Sequence, residues 1–570
     1  MSQERVRIRL VGILVALASV AFTGRLFYLQ IVEGAYFHDL ADSQYKASSA
    51  YDLYQRGSIY FSPQGGGILT AAGLDRGYTL AINPSVIADA PAAFDMISQY
   101  LPDINQEKFM EYASKSTDPY EEIVHRIGEE TKIKIEALKI PGVILVTEKW
   151  RDYPAGSLAA NVLGFVGYKG NVLTGQYGIE RESETTLSRR MGNVYQNFFT
   201  NLLSSIKNEV FGTDTRAGDV ILTIEPRVQA LIESKADELM LTWHARDVGI
   251  IVIDPKTGAI GAMATRPTFD PNNYNIESDP QVFSNPFVEE VFEMGSIMKP
   301  ITISSAIDAG LITPETTYLD KGYIELNEKR IENYDGKGRG NITMQDVLNQ
   351  SLNTGSVYAS QKLGKDRQRE YMYRFGFQDK TSVDLPGEIN NLVSNLESDK
   401  EVEFATASFG QGIAVTPITM VRALSALGNG GFLYKPHVIK QVNYDLGYVD
   451  ETKITEQGRA ITGETSDVIT RMLVKVVDGY LANGKLKMEH YSIAAKTGTA
   501  QIANPDGGGY YTDRFMHSFF GYFPAHNPKF LVFLFMNEPQ GVQYASETLT
   551  TPFRDITKFL ISYYEIPPDR

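Results

Sequence analysis

Glu293-Met294-Gly295-Ser296-Ile297-Met298-Lys299-Pro300 places a serine three residues before a lysine. If this stretch opens a helix, that step sets both side chains on one face, within reach of each other. A serine hydroxyl is a weak nucleophile until a neighbouring base takes its proton. A lysine amine held neutral by burial or by a second cation can be that base at neutral pH. The spacing alone carries little weight, because Ser43-Gln44-Tyr45-Lys46 and Ser204-Ser205-Ile206-Lys207 repeat it.

Two motifs downstream distinguish Ser296. Ser351-Leu352-Asn353 closes a helical pattern that Asn353-Thr354-Gly355 breaks, and Lys496-Thr497-Gly498-Thr499 lies on a strand entered through Ile493-Ala494-Ala495. A second lysine-threonine-glycine, Lys256-Thr257-Gly258, precedes Ser296 in a turn and cannot take the third place in order. Alone, Ser351-Leu352-Asn353 would read as a helix C-cap and Lys496 as a solvated strand lysine. Together, serine-x-x-lysine, serine-x-asparagine and lysine-threonine-glycine resemble the ordered set of the penicillin-binding proteins and class A β-lactamases. The resemblance implies that Ser296 attacks a carbonyl carbon while Lys299 takes its proton, giving an acyl-enzyme. Ser351 relays a proton to the leaving amine, and Asn353 orients the peptide. Lys496, Thr497 and Thr499 suit a substrate carboxylate, and Gly498 lets substrate lie along the strand edge. The family's oxyanion hole would here be the backbone N–H groups of Ser296 and Thr499, worth roughly 3 kcal/mol per donor.

Working outward, 570 residues exceed one ordinary domain. A hydrophobic content of 43% with 22% charged residues fits a globular chain with a large core. With 69 acidic and 54 basic residues the net charge is −15, which argues against nucleic acid as a partner. Cysteine is absent, excluding disulfides, thiolate catalysis and cysteine-ligated zinc. No cofactor or metal is expected.

Arg5, Arg7 and Arg9 precede the uncharged run Leu10–Gly24, and apolar character resumes after Arg25 through Val32. Those 23 residues from Leu10 to Val32 make about 35 Å of helix, enough to span a bilayer. The arginines mark 1–9 as a cytoplasmic tail, so 10–32 is expected to be a single-pass transmembrane anchor in the cell membrane with the remainder outside. A cleaved leader is the competing reading, because Ala16-Leu17-Ala18 is a small-residue site. The apolar residues beyond it favour the anchor.

Residues 33–225 read as a mixed, non-catalytic pedestal. Tyr78–Ile82 and Val143–Val146 are strand-like by their β-branched content, and Gln106–Ser114 and Lys132–Leu138 are helix-like. From 226 the pattern changes. Pro226 opens a helix over Arg227–Thr242, and Val248–Ile253 and Ala259–Ala264 flank the turn Asp254–Gly258. Helices are expected at Ser296–Ala309, Met344–Ser351, Val357–Leu363, Pro417–Leu427 and Ser466–Leu481. Strands are expected at Ser492–Ile502, His517–Phe523 and Phe530–Phe535, with a last helix over Thr548–Tyr564. This order predicts an α+β domain over 226–570, one antiparallel sheet flanked by helices.

The resemblance extends over most of the chain and is that of a class B penicillin-binding protein, a D,D-transpeptidase of peptidoglycan synthesis. Phe292-Glu293-Met294-Gly295-Ser296 matches the family's tyrosine-glutamate-proline-glycine-serine with Met294 in place of proline. Ile253–Ile260, Phe409-Gly410-Gln411-Gly412, Val415-Thr416-Pro417 and Ser518–Pro524 match further. Arg151-Asp152-Tyr153-Pro154 and Gly178-Ile179-Glu180 resemble pedestal motifs, and Gly218–Glu225 the junction, with Glu225 where aspartate is usual. Tyr60-Phe61-Ser62 departs from the aspartate-arginine that usually follows Arg56-Gly57-Ser58-Ile59. No glycan-polymerising domain is expected.

The resemblance implies cross-linking of peptidoglycan stem peptides, acylation by β-lactams, and a septal, cell-division role. An elongation role, a divisome scaffold with dispensable catalysis, and a D,D-carboxypeptidase are the alternatives. A multispanning SEDS-type glycan polymerase and other divisome proteins are the implied partners.

Overall fold

The structure, a computed structural model, describes residues 55–170, 172–189, 217–445, 447–505 and 507–570. The expected anchor at 10–32 lies outside them, and among the described residues no helix is long and apolar enough to cross a membrane. The chain divides into two compact units.

The smaller unit contains Leu74–Trp150. Strands Glu121–Ile127 and Val143–Asp152 both pair with Leu69–Ile82. Leu80, Ile82, Phe94, Ile97, Phe109, Ile127 and Ile135 form its core, contributed by the strands and by helices Ala90–Ser98, Gln106–Ala113 and Glu129–Ala137. The first two helices start where the side chains of Asp89 and Asn105 accept N–H groups of the opening turn.

The larger unit gathers the described residues of Arg56–Gly73, Arg151–Ser188 and Thr213–Arg570. Its main sheet has five antiparallel strands: β1 (Asp247–Ile253), β2 (Ile260–Arg266), β3 (Ala494–Ala503), β4 (Tyr510–Phe523) and β5 (Phe530–Asn537), in the order β3-β4-β5-β1-β2. Every residue of β5 is buried, as expected of a central strand covered on both faces. Strand β3 is an edge. The helices used below are α1 (Pro226–Trp243), α2 (Lys299–Asp308), α3 (Met344–Gln350), α4 (Asn353–Arg374), α5 (Pro417–Ser425), α6 (Gly463–Gly479) and α7 (Thr550–Tyr563). Pro226 and Pro417 occupy first-turn positions, and the side chains of Glu225, Thr416 and Thr462 cap α1, α5 and α6.

Two helices differ from the sequence reading. The one expected over Ser296–Ala309 begins as a 3-10 turn at Gly295–Met298 and becomes α-helical only at Lys299. The one expected over Val357–Leu363 runs over Asn353–Arg374, so Asn353-Thr354-Gly355 starts a helix. Gly355 is there for packing: a Cβ on it would lie 2.2 Å from Val347 Cγ2. The helical run breaks at Gly364, whose φ is 73°.

Between α2 and α3 lie short strand pairs that the sequence did not announce, Thr317–Asp320 with Gly340–Thr343 and Tyr323–Leu326 with Lys329–Glu332. Elsewhere in this unit, Ile59–Phe61 runs parallel to Gly218–Leu222, which pairs antiparallel with Ile439–Tyr444. Beside them the three sequence pieces around Arg56, Arg151 and Glu180 converge. The fully buried Glu180 carboxylate accepts from Arg56 Nε and Arg151 Nε, each at 2.6 Å, and from Tyr153 Oη at 3.2 Å. The two guanidiniums hold that carboxyl below the usual glutamate range against the opposing effect of burial.

Candidate active site

Ser296 is half-buried in the Gly295–Met298 turn, and among the described residues its hydroxyl has no hydrogen-bond partner. Three backbone segments meet at this turn without side chains between them. Gly295, at φ 62°, donates its N–H to Gly410 O at 3.1 Å. A Cβ on Gly410 would lie 2.3 Å from Gly295 O, and one on Gly295 would lie 2.8 Å from Thr499 O. A Cβ on Gly498 would lie 2.6 Å from Met294 O and 3.1 Å from Ile297 N. The missing side chain of Gly498 therefore faces the turn, whereas the sequence reading had it open the free edge of β3. Ser518, opposite Gly498 on β4, donates its hydroxyl to Met294 O at 2.8 Å. Met294 is buried with a φ of −86°.

The lysines converge on Ser351. Lys299, at the start of α2 and fully buried, donates from Nζ to Ser351 O at 2.5 Å and Ser351 Oγ at 3.3 Å. Lys496, from β3 and also buried, donates to Ser351 Oγ at 2.9 Å and Thr497 O at 3.0 Å. Burial and, after it, the positive charge of Lys496 hold the Lys299 amine well below the ordinary lysine range. Burial alone brings Lys496 to about 7. Neither lysine has a carboxylate ion-pair partner among the described residues, so the electrostatics favour a neutral amine on Lys299.

Ser351 sits at the C-terminus of α3 in the left-handed region, with φ 56° and ψ 45°. A residue other than glycine keeps that conformation only where its surroundings impose it. Ser351 caps α3 with its N–H while Lys299 and Lys496 hold its carbonyl and hydroxyl, and the residues after it are tied to the hairpin region. Thr354, next to the motif, donates its hydroxyl to Asp320 Oδ1 at 2.9 Å and its N–H to Asn333 Oδ1 at 3.2 Å. Asn333 donates its amide to both Asp320 oxygens at 3.1 and 3.0 Å. Asn353 donates Nδ2 to Glu332 O at 2.8 Å, which places its amide on the hairpin side.

Thr497 and Thr499 alternate with Lys496 and Gly498 along β3 and are half-exposed. Thr499 Oγ1 accepts the N–H of Ala545 at 3.1 Å. The Ala407–Gly412 loop is tied in from two sides, since Ser408 O accepts the hydroxyls of Thr302 on α2 at 2.8 Å and of Ser356 on α4 at 2.7 Å. Glu293 Oε1 accepts from Gly412 N at 3.0 Å and Tyr510 Oη at 3.2 Å, and burial pushes its carboxyl up.

Sequence reading missed Asp320, Asn333, Thr354 and Ser518 as supports of the site. The glycines at 295 and 410 were visible, but not the backbone contacts that require them. Lys256-Thr257-Gly258 is a turn, with Gly258 at φ 79° against Lys435 O and Thr257 Oγ1 accepting the N–H of Ala259. Among the described residues no group of three or more histidines and acids is placed to hold a metal ion. The constellation has the parts for acyl transfer: a hydroxyl, a buried amine of lowered basicity, a second hydroxyl between two amines, and a cation beside an open strand edge.

Residues 248–558 match the family described as the penicillin binding protein transpeptidase domain, and residues 55–221 the penicillin-binding protein dimerisation domain. The chain is 30% identical to Stage V sporulation protein D of Bacillus subtilis, over 93% of this chain and 81% of that protein. It is 27% identical to peptidoglycan D,D-transpeptidase FtsI of Escherichia coli, over 76% of this chain and 71% of that one. Penicillin binding protein 3 of Mycobacterium tuberculosis, solved with aztreonam, aligns with a TM-score of 0.64 at 27% identity, covering 75% of this chain and 92% of that one.

Proposed function

Because the chain belongs to the class B penicillin-binding proteins, we propose that it is a peptidoglycan D,D-transpeptidase acting through an acyl-enzyme on Ser296. The observation that carries the reading is the convergence of Lys299 and Lys496 on Ser351, beside the turn that holds Ser296.

Ser296 Oγ attacks the carbonyl of the penultimate residue of a stem peptide ending in D-Ala-D-Ala, and its proton passes to neutral Lys299. The tetrahedral intermediate is held by the N–H groups of Ser296 and Thr499. It collapses as the C–N bond breaks and the leaving D-alanine amine takes a proton by way of Ser351. An amine of a second stem peptide then attacks the ester and frees Ser296. Asn353 orients the donor, and Lys496, Thr497 and Thr499 hold the terminal carboxylate, which a β-lactam carboxylate imitates.

The role is septal wall synthesis, supported by the likeness to FtsI. In this reading 1–9 is a cytoplasmic tail, 10–32 a single-pass membrane anchor, 33–225 a pedestal and 226–570 the transpeptidase, with a SEDS-type polymerase and divisome proteins as partners. The test is covalent labelling by a fluorescent penicillin followed by mapping of the labelled peptide. Label on Ser296, lost in Ser296→Ala, is the expected result; a variant that still labels overturns the assignment.

A further inference from the structure

A second constellation lies at the other end of α4. A cavity of about 420 Å³ is lined by Arg374, Asp379, Lys380, Arg422 and Arg459 among others. Helix α4 runs from Asn353 to Arg374 with a break at Gly364, so up to about 30 Å of helix separates this cavity from the Ser351 motif.

Arg422, on α5, is only 3% exposed. Its guanidinium donates to Gly376 O at 2.7 Å, Asp379 O at 3.2 Å, Lys380 O at 3.3 Å and Gln457 Oε1 at 2.9 Å. These are neutral acceptors; among the described residues no carboxylate lies within ion-pair distance, and Nε has no partner. Glu388 and Asp379 act on it from further away, and the Glu388 carboxylate accepts the N–H groups of Thr381 and Ser382 and the Thr381 hydroxyl. Burial lowers Arg422 to about 10. A buried charge with no counter-ion is costly, and an anion brought alongside relieves that cost.

Of the other cations, only Arg374 has an acid within ion-pair distance among the described residues. Arg459 lies 4.7 Å over the Phe432 ring and donates only through Nε, to Gly430 O and Ile461 O, both at 3.2 Å. Its two terminal nitrogens make no hydrogen bond among the described residues. Lys380 Nζ donates to Glu388 O at 2.5 Å. Arg374 lies 4.6 Å over Tyr371, with Asp308 Oδ2 at 3.7 Å. Four cations against the carboxylates of Asp379, Asp308 and Glu388 leave one positive charge, in a chain whose net charge is −15.

We propose that this cavity is a binding site for a phosphate-type oxyanion. Arg374 and Arg459 offer planar guanidinium forks that match phosphate oxygens, with the Lys380 ammonium beside them, and the surplus positive charge suits an anion. The site is separate from the acyl-transfer reading and does not depend on it. The phosphate could belong to a lipid headgroup or to a soluble or polymeric ligand, since both present the same oxygens.

The test uses the full chain in phosphatidylcholine nanodiscs, titrated calorimetrically with inorganic pyrophosphate. One saturable, salt-sensitive site is expected, weakened about tenfold or more in Lys380→Glu/Arg459→Glu. A thermal melt reports that the double variant is folded, and Lys380→Glu alone, at an exposed position, is the second variant. If added phosphatidylglycerol competes with pyrophosphate, the source is a headgroup; if it does not, the source is soluble or polymeric phosphate. Absence of saturable pyrophosphate binding, or equal binding by the folded charge-reversed variants, overturns the proposal.

Discussion

Gly498→Ala tests how tightly the nucleophile turn is wedged against β3. The added methyl would sit 2.6 Å from Met294 O, some 0.8 Å inside ordinary van der Waals contact at 3.4 Å, and 3.1 Å from Ile297 N. Its closest neighbour, Ser518 Oγ at 2.4 Å, is committed to Met294 O by a 2.8 Å hydrogen bond and cannot rotate away freely. Two of the three contacts are backbone atoms, so β3 or the turn must move by several tenths of an ångström. Overpacking of this kind costs about 1–3 kcal/mol, which in a unit of this size lowers Tm by roughly 1 °C per kcal/mol. The larger effect is on chemistry, because a misplacement approaching 1 Å costs about 100-fold in rate. Stopped-flow acylation by a fluorescent penicillin and a thermal melt measure both quantities. Gly65→Ala, where a Cβ would meet nothing within 4 Å, is the control and should match the parent. Parental acylation and Tm in Gly498→Ala would refute the wedge.

Two buried lysines set the pH profile. Lys299 must be neutral to accept a proton and Lys496 must be charged to hold a carboxylate, so second-order acylation falls at low pH and again as pH rises through about 7. Lys496→Arg stays charged and should lose the alkaline limb; a parental bell in that variant contradicts the assignment. Glu180→Gln leaves Arg56 and Arg151 buried without a counter-charge and should cost about 3–5 kcal/mol in denaturant unfolding. Because the folded-state pKa of Glu180 is depressed, the parent holds this stability above the ordinary glutamate range and loses it as pH falls through the lower folded value; a variant as stable as the parent would be decisive against it. Asp320→Ala leaves the amide of Asn333 and the N–H groups of Gly322 and Arg339 without their acceptor. At about 1–3 kcal/mol per buried unsatisfied group, the unfolding midpoint should drop and acylation slow together, and an unchanged midpoint would remove Asp320 from the support of Ser351.

Much of the larger unit was legible because its strands are continuous apolar runs and its helices carry proline or threonine at their starts. The Val248–Ile253 and Ala259–Ala264 pair, the three late strands and the closing helix needed only local pattern. The lysine and serine motifs were legible as text for the same reason: each is a few consecutive residues. What escaped was everything that depends on distant partners. The contact between Gly498 and Met294 joins positions some two hundred residues apart, and glycine in a strand gives no sign of which backbone approaches it. The strands at Thr317–Asp320 and Tyr323–Leu326 are four residues each and half polar, so no periodicity marks them. The lowered basicity of Lys496 follows from burial, whereas a lysine on an edge strand reads as solvated. Asn353-Thr354-Gly355 was read as a break because glycine is a poor helix former, yet here crowding by Val347 requires it at a helix start.

The pairing of Ile59 with Val220, and of Val220 with Val442, has a consequence for how the chain reaches its native state. These partners are far apart in sequence, so closing them carries a large loop entropy before any contact repays it. The strand Ile59–Phe61 emerges early in synthesis and can pair at once with Leu69–Ile82, yet the sheet it joins is complete on its other side only once residues 439–444 exist. Until then the far side of Gly218–Leu222 lacks its antiparallel partner. A chain cut at the end of its first two hundred and twenty-odd residues would carry Arg56, Arg151 and Glu180 but lack Ile439–Tyr444. Such a fragment should be slower to fold and more aggregation-prone than its length implies.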